Sequence, residues 1–171
     1  MQSYAPSSPD LGKGAPFTMI FDHLKLILVP TDFSEASTVA LEAAVSIAQT
    51  FHAAIEIFHV DLDPVMVLPP PVDILVMPIG VENSMARTAE KLDQLVAEVT
   101  QKNIVCTGAS ETGRTHVAIV EHAVQIGAGM IIMGSHGHHG FSHMMLGSVA
   151  EKVVQNAPCA VLVIPVGSKN Q

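Results

Sequence analysis

Five times along this chain a short, unbroken apolar run is followed by a segment whose apolar residues recur at helical spacing, and that alternation leaves few folds open. The apolar runs are Leu24–Pro30, Ala54–Val60, Ile104–Ala109, Met130–Met133 and Ala160–Ile164. They are too short for helices and lack the polar alternation of a half-wet sheet, so they read as strands buried on both faces. Between them, Val39, Ala40, Ala43, Ala44, Ile47, Ala48 and Phe51 share one helix face. Met85, Ala89, Leu92, Val96 and Val99 mark a second helix. Val117, Val120, Ala123 and Val124 read as the inner face of a third, over Thr115–Gly127, and Ser148 opens a fourth that ends before Pro158. Strand and helix in strict alternation imply parallel strands joined by right-handed crossovers. The expected fold class is α/β: an open five-stranded parallel sheet with helices on both faces, Rossmann-like. A strand order of 3-2-1-4-5 is assumed.

With 171 residues the chain suits one domain, expected over 23–168 behind a Ser-, Pro- and Gly-rich leader at 1–22. Hydrophobic residues make up 49% and aromatics only 4%, so the core must be aliphatic. The formal charge of −8 opposes nucleic acid and anionic membrane surfaces as partners. No run reaches the roughly 18 apolar residues of a membrane span, and the N-terminus lacks the pattern of a secretory signal. Cys106 and Cys159 form no CxxC and read as reduced, buried thiols. A cytoplasmic protein is the expectation. The stretch 61–83 carries five prolines and no clean period, yet is rich in Val, Leu, Met and Ile. It is too long for a neutral connection and is expected to fold over a cleft or a partner.

The chemistry concentrates in the connection after the fourth strand, Gly134-Ser-His-Gly137-His-His-Gly140-Phe-Ser-His-Met-Met-Leu-Gly147-Ser148. Glycines let backbone N–H groups approach an anion, and the following helix offers free donors and the positive end of its dipole. Ser148 is expected to add an N-cap hydroxyl. The loop has no lysine and no GxxxxGK[ST], so it is not Walker A, and its glycine spacing is not the dinucleotide fingerprint. The bland alternative is a glycine-rich turn that only reverses the chain. Asp32, in Pro30-Thr31-Asp32-Phe33-Ser34, is the second element. Either it or Ser34 caps the first helix, with Glu35 completing a capping box behind Asp32, or Asp32 faces a ligand at the switch point between the first and fourth strands. His136, His138, His139 and His143 crowd the loop without the spacing of a zinc site, and no metal is expected. His52 and His59 read as structural.

Gly134-x2-Gly137-x9-Gly147-Ser148 resembles the nucleotide motif of the universal stress protein family. LVPTDFS at 28–34, FHVDL at 58–62, MIIMGSHG at 130–137 and LGSVAEKVVQNAPCAVLVIP at 146–165 resemble its flanks. The resemblance covers residues 24–166. It implies the ATP-binding branch and a stress-response or regulatory role, with ATP, or ADP or AMP, as ligand and Mg²⁺ as companion. By the same resemblance Pro30, Thr31 and Asp32 would face the adenine-ribose side and the Val60 backbone the adenine. Met133 and Gly134 would lie near the ribose, and Gly137, His138, Gly147, Ser148 and Val149 at the phosphates. Where the family commonly has Arg or Lys between the second and third glycines, this chain has His138, His139 and His143, so backbone dipoles, a bound Mg²⁺ or histidine protonation at mildly acidic pH must answer most of the phosphate charge. No Asp or Glu lies between Gly134 and Val149, so at most slow hydrolysis or autophosphorylation is expected. The alternative is a partner-binding regulatory module of the same fold with no nucleotide. A flavoprotein or adenine-hydrolase relative fits less well, since the chain is too short for their added parts. A homodimer is expected through Ala160–Ile164, an apolar strand placed at a sheet edge and blunted by no lysine or internal proline. An unidentified protein partner completes the expected interactions.

Overall fold

The computed structural model describes residues 24–61, 81–135 and 146–165. Nine elements follow in order: β1 (Leu26–Thr31), α1 (Glu35–Phe51), β2 (Ala54–Asp61), α2 (Val81–Thr100), β3 (Cys106–Thr112), α3 (Thr115–Gln125), β4 (Met130–Gly134), α4 (Ser148–Asn156) and β5 (Ala160–Ile164). The strands are all parallel, as the alternation implied, and their order is β3-β2-β1-β4-β5, the one assumed. The expected leader lies outside the described residues. So do 62–80 of the stretch expected as a loop; its ends belong to β2 and α2 instead.

Two aliphatic cores flank the sheet. Ile27, Val29, Ile55, Ile57, Met130 and Ile132 meet Ala40, Ala44, Val45 and Ala48 of α1 and Leu92 and Val99 of α2. On the other face Leu28, Phe58, Val60, Ile131 and Met133 meet Ala118, Ile119 and Ala123 of α3 and Ala150 and Val153 of α4. Residues of the central strands alternate between these cores, which is why Leu26–Val29 and Met130–Met133 are apolar throughout, whereas the edge strand β3 is mostly exposed.

Register is uneven across the sheet. β1 pairs with β2 over six residues, and β4 with β5 over five. Between β1 and β4 only Ile27↔Met130 and Leu28↔Ile131 are in register. Above that point β1 continues beside β2 and β4 beside β5, and the two central strands part. Pro30, with no N–H for a ladder, sits in the upper half of β1.

Two helices differ in phase from the expected faces. On α3 the buried residues are Ala118, Ile119 and Ala123, whereas Val117 is 37% and Val124 62% exposed. A polar anchor set the rotation. His122 stacks on Phe58, with ring centroids 4.0 Å apart and planes 4° from parallel, and its Nε2 meets Glu56 Oε1 at 2.5 Å. Glu56 Oε2 also accepts from the Thr107 hydroxyl at 3.1 Å. With His122 turned to the sheet, residues 118, 119 and 123 follow it inward and the valines turn out. On α2, Thr88, Leu92 and Val99 are buried while Met85 is 53% exposed. Thr88 stands level with Asp61, the last residue of β2, through a 3.4 Å contact. The helix therefore begins about 10 Å above the strand ends, and Met85, one turn before Thr88, lies beyond the end of β2.

Two tests follow from this packing. The Glu56 and His122 side chains are only 15% and 11% exposed, so removing either partner strands the other. Glu56→Leu and His122→Leu should each cost about 2–3 kcal/mol in urea unfolding, with the double variant costing clearly less than their sum. Additive losses would show that the pair is not coupled. Burial, and secondarily Glu56, pushes the Cys106 thiol up to about 11, and burial raises Cys159. At pH 8 about 0.1% of Cys106 is thiolate, so its labelling by a disulfide reagent should be slow and accelerate as pH rises toward 11. Rapid labelling of the folded chain at pH 8 would contradict this environment.

Candidate functional site

The parted ends of β1 and β4 form the switch point of the sheet, and every helix that follows a strand starts at this same edge. The turn after β1 is held by a directed hydrogen-bond network. Thr31 Oγ1 accepts from the Phe33 N–H at 3.0 Å and donates to Ser37 Oγ at 3.1 Å, which donates to the Ser34 carbonyl at 2.9 Å. The Ser34 hydroxyl accepts from the Ser37 N–H at 3.3 Å, and both the Ser34 N–H and its hydroxyl donate to Asp32 Oδ1. Ser34 is the N-cap of α1, so Asp32 is not the cap, and Glu35 stands at the first helical position rather than the fourth of a box. Asp32 instead braces the cap through Oδ1, its carboxylate oriented at the strand end.

Phe33 adopts φ 61°, a left-handed conformation that costs a bulky residue about 1–2 kcal/mol. Its ring lies 4.6 Å from the His59 ring, and Lys91 Nζ sits 4.8 Å from its centroid on the α2 side. His59 Nδ1 is 2.7 Å from the Thr31 carbonyl oxygen, which makes Nδ1 the protonated nitrogen and the donor. Nε2 faces Asp61 Oδ1 at 3.4 Å. His52, the other histidine read as structural, is the left-handed C-cap of α1, its N–H bonded to the Ala48 carbonyl.

Gly134, the last residue of β4, packs on the start of α1 so closely that an added Cβ would lie 2.9 Å from the backbone of Ala36. The first glycine of the motif is therefore required by packing of the fold itself. The Ser135 N–H donates to the Ile164 carbonyl, and the Gly147 N–H closes the connection on the Ser135 carbonyl, both at 2.9 Å. Gly147, not Ser148, is the N-cap of α4, with no side-chain cap. Ser148 and Val149 occupy the first turn, where N–H groups have no carbonyl of their own helix to bond and point past the strand ends.

Of the residues singled out from sequence, the fold brings Pro30, Thr31, Asp32, Met133, Gly134, Gly147, Ser148 and Val149 to the ends of β1 and β4. Val60 lies one strand away, near the end of β2. The side chains of Val60 and Met133 are buried in the α3/α4 core, so they present only backbone to a ligand. Gly137 and His138, with His136, His139 and His143, lie outside the described residues. Sequence reasoning did not single out Phe33 and Lys91. A bulky residue between Asp and Ser in a turn was the available signal for Phe33; Lys91 had none. The groove of about 200 Å³ between α1 and α2, lined by Phe33, Leu41, Lys91 and Leu95 among others, is smaller than the roughly 300–1,000 Å³ of a small-molecule site. Among the described residues no group of three or more His, Cys, Asp and Glu is arranged to hold a metal ion. No described helix is long and apolar enough to cross a membrane.

The fold and this strand-end geometry have known relatives. The Universal stress protein family matches residues 23–165. Universal stress protein MJ0531 of Methanocaldococcus jannaschii is 35% identical over 151 residues, covering 82% of this chain and 81% of the relative. The solved structure of hypothetical protein MJ0577, from the same organism, superposes with a TM-score of 0.73 at 26% identity, covering 85% of this chain and 99% of that one. Two more distant structures share the fold. A universal stress protein in complex with cAMP has a TM-score of 0.62 at 20% identity, covering 84% of this chain and 98% of that one. One from Archaeoglobus fulgidus in complex with dAMP has 0.58 at 17%, covering 83% and 98%. With a family match over more than four-fifths of its length, this chain belongs to the universal stress protein family.

Proposed function

We propose that this chain is an adenine-nucleotide-binding regulatory protein of the stress response, with ATP, ADP or AMP seated where β1 and β4 part. The observation that carries the reading is that separation, with the oriented Asp32 turn on one side and the start of α4 on the other. In this reading Thr31, Asp32 and the Val60 backbone take the base and ribose side, and the Met133 and Gly134 backbone lies near the sugar. Phosphate oxygens accept from the amides of Ser148 and Val149 and from the Ser148 hydroxyl, with Gly137 and His138 on the same side. The amide of Gly147 is committed to Ser135, so its part is to close the loop. cAMP and dAMP, named in the complexes of two family structures, are adenine nucleotides, which agrees with the ligand class.

Mg²⁺, where present, would travel with the polyphosphate and neutralise part of its charge. The segment between Gly134 and Val149 holds no carboxylate to activate water, so the site holds nucleotide rather than turning it over, with slow hydrolysis or autophosphorylation as its limit. The two free cysteines suit a reducing cytoplasm.

Calorimetric titration with ATP tests the assignment. Ser148→Pro removes one amide and the hydroxyl, yet proline is favoured at the first helical position and Gly147, at ψ 149°, already has the conformation a following proline requires. The fold should be unaffected and ATP affinity should fall about tenfold or more. Asp32→Asn keeps an oxygen for Ser34 while removing the charge, and should also weaken binding. Unchanged affinity in both variants would overturn the site. A wild-type chain that binds no adenine nucleotide would return it to a partner-binding module of the same fold.

A homodimer through β5 completes the proposal. β5 is an edge strand with Leu162 36% exposed and Ala160 open, a template that a second copy can extend in a closed two-fold interface. Leu162→Lys places a charge on that edge without entering the core. Light scattering should show a dimer for the wild type at micromolar concentration and monomer for the variant; a monomeric wild type would refute the interface.

A further inference from the structure

Asp32 is flanked by two residues that are both fastened to one side chain. His59 donates from Nδ1 to the carbonyl of Thr31 on one side of Asp32, at 2.7 Å, and its ring packs against Phe33 on the other side, with centroids 4.6 Å apart and planes tilted by 32°. It also directly precedes Val60, the residue whose backbone lies on the base side of the proposed site. We propose that His59, clamped with Phe33, is a positioning residue that fixes the Asp32 turn against the Val60 backbone and so sets the spacing of the base-binding side. This rests on the nucleotide reading above and adds to it a role for two residues that touch no ligand.

Three independent observations support the clamp. Phe33 holds a left-handed backbone, φ 61°, that a side chain of its size disfavours, so the surrounding structure must over-determine it. Its constraints are present: the N–H bonded to Thr31 Oγ1, the ring packed on His59, and Lys91 against the ring from α2. The imidazole also lies beside the start of α2, since Nε2 is 3.4 Å from Asp61 Oδ1 and the Thr88 hydroxyl contacts the same oxygen. The clamp thus gathers β1, β2 and α2 at the point where β1 has lost β4 as a neighbour. Glycine at position 33 would remove the backbone penalty and hold the same turn, so the phenyl ring serves something other than turn formation.

That last point gives the test a readout that a merely structural role would not move. Phe33→Gly in the full chain relieves the left-handed backbone but gives up the ring's packing on the α1/α2 core, so it should melt within a few degrees of wild type, while titration with ATP shows about tenfold weaker binding. AMP should weaken by the same factor, since the loss falls on the base side, in contrast to variants at the start of α4. His59→Ala should weaken both nucleotides likewise. His59→Asn, whose Nδ2 can replace Nδ1 as donor to Thr31, should recover part of the loss. Phe33→Gly and His59→Ala binding ATP as the wild type does would overturn the positioning role and leave the nucleotide reading intact. No binding of ATP or AMP by the wild type would overturn both.

Discussion

The early end of pairing between β1 and β4 is the constraint on which the rest of this structure depends. A parallel sheet that stayed in register to its upper edge would present a closed row of strand ends. Here the two central strands share register at only two positions and then follow their outer neighbours. Twist favours such divergence, and Pro30 withholds a ladder donor in the half of β1 where it happens. The start of α1 comes to lie against the end of β4 at Gly134, so the gap is fixed by packing on one face and by the Gly147–Ser135 closure beyond β4. Among the described residues the two walls of this gap are thus held by contacts within the fold itself.

Polar contacts, few in number, decide how the aliphatic layers are oriented. Valine and alanine stripes are nearly interchangeable around a short helix, and burial alone gives no strong preference between faces a residue apart. The stacked and paired His122 breaks that tie on α3, at the expense of exposing Val117 and Val124. Asp61 and Thr88 place α2 along its axis in the same manner, at the other end of β2. Glu56 and Asp61 therefore bracket one strand, one fixing a helix on each face of the sheet.

What was legible in the sequence follows from the range of each interaction. The strands and the class of fold showed because burial on both faces makes the central runs apolar, a signal carried by four or more consecutive residues, whereas the sheet order was assumed and the structure supplies it. The helix faces were misread where a single long-range pair outweighed a local stripe. His122 and Glu56 are 66 residues apart, and nothing near either marks the other. The caps were only partly legible, for a smaller reason. Asp32 and Ser34 are equally good cap residues by type, and only the network through Thr31 and Ser37 distinguishes brace from cap. At α4 the expected Ser148 cap lies one residue inside the helix, because the closure onto Ser135 holds Gly147 at the boundary. Gly134 was visible as a motif residue, but its close approach to Ala36 is a tertiary fact.

The two sides of the crevice are built from different materials, and electrostatics explains why both are needed. The chain carries a formal charge of −8, and an adenine nucleotide is an anion. Repulsion from distant carboxylates is screened beyond about 8 Å at physiological ionic strength, so the overall charge weighs less than what lies within the first shell. Close to the strand ends the topology supplies partial positive charge without any lysine, since each helix entered from a parallel strand presents its N-terminus there. Such dipoles act over a single turn and can hold phosphate only at contact, which suits a backbone-lined side at α4. They offer nothing specific to a base. In the proposed reading, recognition there comes from oriented side chains and strand backbone held by a rigid turn, and hydrogen bonds and the strained Phe33 collect around Asp32.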